Sequence, residues 1–225
     1  MCSVYILLAG LVLSSNLLCA QHTYRIGWLP QVNLNYKVND QWRLNGKVES
    51  RPALASGQWG DALAFEYSLT DLSLQAAYKF HHQQTLSGGY LWRIRPDEDH
   101  HRLIQQYSLV HQLARFRLGH RFAADQTFRP RSPLEVRLRY RLSVELPLSG
   151  TQVDAGELYL KVNHEYLNAF QGSDYELEVR LVPVVGYLLT DRNKWEMGFD
   201  ARLDGFLNQA TRWTLWWAMA WYYSW

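Results

Sequence analysis

The residues best suited to chemistry in this chain are charged and regularly spaced. Arg115, Arg117 and Arg121 form one set, Arg137, Arg139 and Arg141 another, and the carboxylates Glu165, Glu176, Glu178, Glu196, Asp200 and Asp204 follow later. Even-numbered spacing places side chains on one face of an extended strand. A basic wall and an acidic wall that face one another can pair and fill the space between them. Held apart, they line a passage whose arginine side attracts anions. In a narrow barrel the walls come within salt-bridge reach, so a plugging network is the expected arrangement and a narrow anion-preferring channel is the alternative.

Nucleophilic chemistry finds less support. His111, His120 and His164 share the opposite parity, where a lipid hydrolase or acyltransferase of the membrane would keep its base. A tight hairpin centred on Ala114 sets His120 opposite Tyr107 or Leu109, and no serine joins it on that face. An enzyme is therefore not expected. The run Asp97, Glu98, Asp99, His100 and His101 contains cation-ligating side chains, but charge runs in loops are usually solvated, and neither a metal nor a cofactor is expected. There is no phosphate-binding glycine loop, and a net charge of +2 offers nucleic acid no partner surface.

Elements able to position the two charged walls must alternate polar and apolar residues. Leu134, Val136, Leu138, Tyr140, Leu142, Val144 and Leu146 alternate with Glu135, Arg137, Arg139, Arg141, Ser143 and Glu145. In the last segment, Trp213, Leu215, Trp217, Met219, Trp221, Tyr223 and Trp225 share one parity, with Trp216 and Tyr222 as exceptions on the other. Comparable rows recur along the chain, and the register flips near Thr70 and Asp71, as at a β-bulge. Aromatic residues make up 14% of the chain while the mean hydropathy is −0.30, the combination of a greasy outside and a polar lumen. A backbone that crosses a bilayer as strands must close on itself. The expected fold is thus all-β, an antiparallel up-and-down transmembrane β-barrel of 10 to 12 strands. A secreted two-layer β-sandwich also alternates, but its strands are shorter and lack aromatic residues near their ends. About eleven segments can be counted, and the even number usual for bacterial barrels predicts that one is miscounted, either through a strand missed near the amino terminus where Pro30 interrupts it or through a bulged segment that is really two. Short connections are expected near Asn39-Asp40, His81 to Gln84, Ala114 and Thr190 to Asn193. Longer ones are expected near Ala55 to Asp61, Pro96 to His101, Asp125 to Pro133 and Asn168 to Ser173, with Pro147 to Gly156 as a long turn on the short side.

Residues 1–20 read as a secretory signal peptide, with an uncharged start, the apolar run Val4 to Leu13 and Leu18-Cys19-Ala20 before Gln21. Residues 21–225 then form one barrel domain. Both cysteines, Cys2 and Cys19, fall in the leader, so the mature chain is expected to hold no disulfide.

Several stretches resemble the bacterial envelope family known as domain of unknown function 2490. They include Asn39-Asp40-Gln41-Trp42-Arg43-Leu44 with Val48-Glu49-Ser50-Arg51, and Thr70-Asp71-Leu72-Ser73-Leu74 with Tyr78-Lys79. Gln105-Gln106 through His111, Phe116 through Phe122, Leu138 through Leu142, and Leu158-Tyr159-Leu160 with Asn163 and Glu165 continue the likeness in order. That family is similar to outer-membrane barrels and carries no assigned reaction. The resemblance implies a barrel fold and an outer-membrane location without supplying a role. The chain itself is expected to be a monomeric, lipid-surrounded barrel of a Gram-negative outer membrane, serving as a structural or accessory envelope component or as a narrow channel. Likeness to such barrels also implies that Trp221, Tyr223 and Trp225 form the terminal signal read by the barrel insertion machinery.

Overall fold

Successive side chains of an extended strand point to opposite faces, so a period-two sequence can sort its residues only by becoming sheet. The computed structural model describes residues 23–58, 65–208 and 211–225. The expected leader, with Cys2 and Cys19, lies outside the described residues. The strands are β1 (Thr23–Lys37), β2 (Trp42–Gln58), β3 (Glu66–His81), β4 (Gln84–Ile94), β5 (His100–Gln112) and β6 (Arg117–Phe128). They continue as β7 (Glu135–Pro147), β8 (Glu157–Gln171), β9 (Asp174–Thr190), β10 (Asn193–Asp204) and β11 (Arg212–Ser224), with a 3-10 turn at Phe206–Asn208.

Each strand pairs antiparallel with the next, and the sheet closes through a parallel ladder between β1 and β11, from Thr23↔Arg212 to Asn35↔Ser224. The expectation of an even strand number is overturned. Eleven segments stand as counted, and in a meander of odd number the first and last strands run the same way. Pro30 does not split β1. It lies within that strand opposite Met219 of β11, where the ladder to β2 lapses between Gly27 and Gln31. A single closed sheet also excludes the two-layer sandwich.

The ladder is strongly staggered. A cross-strand row starting at Trp42 passes through Tyr78, Leu86, Tyr107, Phe122, Tyr140 and Tyr166. It returns through Val179, Leu203, Trp213 and Tyr24 to Gly57, fifteen residues further along β2. With about 3.3 Å per residue and about 4.8 Å between strands, that stagger corresponds to a tilt of about 43° and a backbone radius of about 12 Å. Long side chains reaching inward from such a wall meet near the axis.

Two local expectations shift. The register of β3 flips at Ser68, opposite Arg51, one turn of the pleat before Thr70-Asp71, so Leu69 points inward. The expected longer connection at Asn168 to Ser173 is a tight turn at Gly172-Ser173, where Gly172 takes a positive φ of 60°.

The sorting of side chains is inside out relative to a water-soluble protein. Leu44, Leu74, Leu138, Phe199, Trp213 and Trp217 are among the many large apolar side chains exposed on the outer face. Glu165, Thr127, Asp71 and Asp125 are the most completely buried of the larger side chains. The exceptional parity of Trp216 is explained by a small apolar cluster inside the barrel, where its ring packs on Leu29 and Ala53.

Candidate functional site: the charged lumen

Ladder register decides which charges become neighbours. Arg121 of β6 lies directly across from Arg141 of β7, Arg141 across from Glu165 of β8, and Glu165 across from Arg180 of β9. Two adjacent arginines would repel, and the carboxylate beside them offsets that repulsion. Glu165, with its side chain only 1% exposed, receives Arg121 at 2.8 Å and Arg141 at 2.6 Å, with Arg180 at 3.4 Å and Arg139 at 4.0 Å. One row further along, Asp125 accepts from Arg137 at 3.2 Å and Arg139 at 2.9 Å. Glu135 is paired with Arg129 and lies 3.3 Å from Arg137.

The other half of the wall is built from ion pairs two residues apart on one strand, a spacing that turns both partners inward. Asp200 accepts both prongs of Arg202 at 2.9 and 2.7 Å, and Glu178 holds Arg180. Glu49 accepts from Lys47 and from Arg51 Nε, each at 2.9 Å. The exception crosses between strands: Asp71 of β3 takes both prongs of Arg93, its ladder partner on β4, at 2.7 Å. Sequence reasoning named Glu178 and Asp200 but overlooked Lys47, Glu49, Arg51, Asp71, Arg93, Arg180 and Arg202, although Lys47-x-Glu49-x-Arg51, Glu178-x-Arg180 and Asp200-x-Arg202 carry the signal of opposite charges at strand spacing.

A separate node forms around Glu196, which receives Lys161 at 2.5 Å, the Tyr159 hydroxyl at 2.7 Å and the Tyr222 hydroxyl at 3.2 Å. Here the second parity exception, Tyr222, is a lumen hydrogen-bond donor. The Tyr159 ring lies over Gly186: a Cβ there would fall 2.0 Å from Tyr159 Cζ, so only glycine admits the ring.

The structure therefore mixes the two expected walls. Arg121, Arg137, Arg139 and Arg141 do converge, but around Asp125 and Glu165 as much as around one another. Arg115 lies in the exposed turn between β5 and β6, outside the wall, and Arg117 sits at the rim, 3.7 Å from Glu145. Glu176 and Asp204 gather at the opposite rim, both beside Arg212, at 3.6 and 2.8 Å.

The histidines fall where the pleat sends them. His120 pairs with Leu109, as one of the two expected registers has it, and its Nδ1 shares a 2.9 Å hydrogen bond with the Tyr140 hydroxyl. His111 meets the His120 ring edge-on at 6.0 Å. Adjacent residues His100 and His101 face opposite ways: His100 is buried 3.4 Å from Glu98, while His101 bonds the Tyr90 hydroxyl outside at 2.5 Å. Asp99 accepts from the Trp92 indole at 2.9 Å. Among the described residues no three histidine, cysteine or acidic side chains are grouped to hold a metal ion.

At the centre of the lumen is a cavity of about 260 Å³ whose lining includes ten lysine and arginine side chains and four carboxylates. Asp125 and Glu165 stand directly behind that lining as partners of its arginines. Arg102 is buried, donates through Nε to Thr127 Oγ1 at 2.9 Å, and has no carboxylate within ion-pair distance among the described residues. Like charges about 8 Å apart in a medium of effective dielectric about 20 repel by about 2 kcal/mol, so an excess of cations here is energetically significant.

The family model described as protein of unknown function (DUF2490) matches residues 27–214, most of the barrel, and the chain belongs to that family. No curated protein and no solved structure matches it.

Proposed function

We propose that this DUF2490 protein is an integral barrel of a Gram-negative outer membrane with an occluded lumen, serving as a structural or accessory envelope component. The observation that carries the reading is the inverted polarity of the wall: leucine, phenylalanine and tryptophan outside, paired ions inside. In water that outer face would be an apolar surface far beyond what soluble monomers tolerate. In a bilayer it is the solvent-matched side, and closure leaves the sheet with no free edge strand. The barrel would stand in lipid as a monomer, with closure leaving no strand edge on which a second copy could extend the sheet.

Insertion would depend on the terminal strand. Trp225 is stitched to β1 by reciprocal bonds, its N–H to the Asn35 carbonyl and its carbonyl to the Lys37 N–H, each at 3.0 Å. The barrel insertion machinery would then recognise the row Trp221, Tyr223 and Trp225, and the carboxy-terminal rim would face the periplasm. No catalytic step belongs to this reading, because the group bonded to His120 is a tyrosine hydroxyl on the lipid side.

Membrane fractionation, unboiled gel migration and planar-bilayer recording test it together. The expected result is a membrane-bound, heat-modifiable band that passes almost no steady current. A soluble, heat-insensitive band would overturn the location. Steady anion-selective current would replace the occluded barrel with a narrow anion-preferring channel, the reading favoured by the cation excess at the lumen centre.

A further inference from the structure

We propose that the central lumen cavity is a blind-ended binding site for a small oxyanion of the phosphate or sulfate class, entered from the carboxy-terminal rim. The inference rests on the occluded-barrel reading above.

Charge is the first argument. The ten cations around the cavity are set against six carboxylates, counting the two that stand behind the lining; Glu135, also 3.3 Å from Arg137, is balanced by Arg129. Each of those carboxylates is already engaged by an arginine or lysine of its own. Four positive charges are left over in an enclosed space, and an anion is the group that completes them.

Hydrogen bonding is the second. Arg102 commits Nε to Thr127, and its terminal nitrogens have no partner among the described residues. Arg139 Nε and Ser73 Oγ, of residues lining the same cavity, are buried without a hydrogen-bond partner among the described residues, and Ser73 is only 8% exposed. Guanidinium forks match the paired oxygens of a tetrahedral oxyanion better than they match chloride. At about 30 Å³ per water, the cavity accommodates such an ion with several waters.

Access is the third. The central cavity shares Arg141 with two further spaces, of about 270 and 120 Å³, that continue along Lys161 and Asn163. The larger of these reaches Arg117 and Glu145 beside the β5–β6 turn, at the carboxy-terminal rim. The space of about 360 Å³ at the other rim is lined by Glu135, Asp174, Glu176 and Asp204, and shares no lining residue with the central cavity. An acidic mouth there repels anions, whereas Arg141 and Lys161 draw them in from the opposite side.

The test is calorimetric titration of the full refolded barrel, in detergent and confirmed as heat-modifiable, with inorganic phosphate and sulfate against chloride at equal ionic strength. Saturable one-to-one binding of an oxyanion, absent with chloride, is expected. Arg102→Gln should weaken it at least 10-fold, and Arg212→Gln at the acidic rim should leave it unchanged. Glycerol phosphate run in parallel separates a site for the free ion from one for a larger phosphorylated solute. No saturable heat with the wild-type barrel would overturn the site while leaving the occluded-barrel reading intact, and so would binding equally weakened by both substitutions. Because the wild-type titration decides by itself, a variant that fails to fold does not rescue the proposal. A soluble chain in the fractionation would instead remove the reading on which the site depends.

Discussion

Arg121 donates to Glu165 at 2.8 Å across the intervening strand β7, joining residues 44 apart in the chain. The bond ties β6 to β8 inside the barrel, beside the ladder bonds that each makes to β7. Glu165 thus serves as the shared counter-ion for arginines on three strands. Glu165→Ala leaves them buried without it, and breaking a buried pair from one side typically costs about 3–5 kcal/mol. Urea unfolding in liposomes should show a loss of that order; a loss below about 1 kcal/mol would mean that water already screens the cluster.

The outer face gives the sharpest contrast between membrane and water. Leu138 is 49% exposed, pointing away from the lumen between the inward Arg137 and Arg139. Leu138→Arg should destabilise a lipid-embedded barrel by about 2–4 kcal/mol if the site is near the bilayer midplane. On a water-facing surface the same change would be within about 0.5 kcal/mol of neutral. Equal stability of the variant and parent in liposomes would contradict a lipid-facing wall.

Gly186 and Tyr159 form a matched pair on adjacent strands. Gly186→Ala should push the ring aside, disturb its bond to Glu196, and cost about 1–3 kcal/mol as overpacking. In a Tyr159→Ala background most of that cost should vanish, because the clash needs both partners. A double-mutant cycle with additive effects would show that the ring does not depend on the glycine.

Trp225 closes the seam through its backbone and places its ring 5.8 Å from Tyr36. Trp225→Ala should lower the yield of heat-modifiable barrel in cells, while the stability of the barrel that does form falls by only about 1 kcal/mol, the scale of one aromatic pair. Unchanged yield would separate this strand from recognition during insertion.

Period-two alternation is a local property, and it determined what local chemistry can determine. The row Leu134 to Leu146 faces out and the row Glu135 to Glu145 faces in, as their alternation required. The same rule assigned Arg121, Arg137, Arg139 and Arg141 to the lumen and His120 to the outside. Position along the strand was less legible: Arg115 falls in a turn and the bulge of β3 sits at Ser68, since both depend on where neighbouring strands begin and end. Which inward charges meet across strands was decided by the ladder register between neighbouring strands. The register of β6 to β9 brings Glu165 among arginines of β6, β7 and β9, and Arg102 faces the cavity with no carboxylate within ion-pair distance among the described residues. Ion pairing acts over a few ångströms in space, and only the register of strands packed side by side in the folded barrel sets residues 44 apart in the chain, such as Arg121 and Glu165, within that reach.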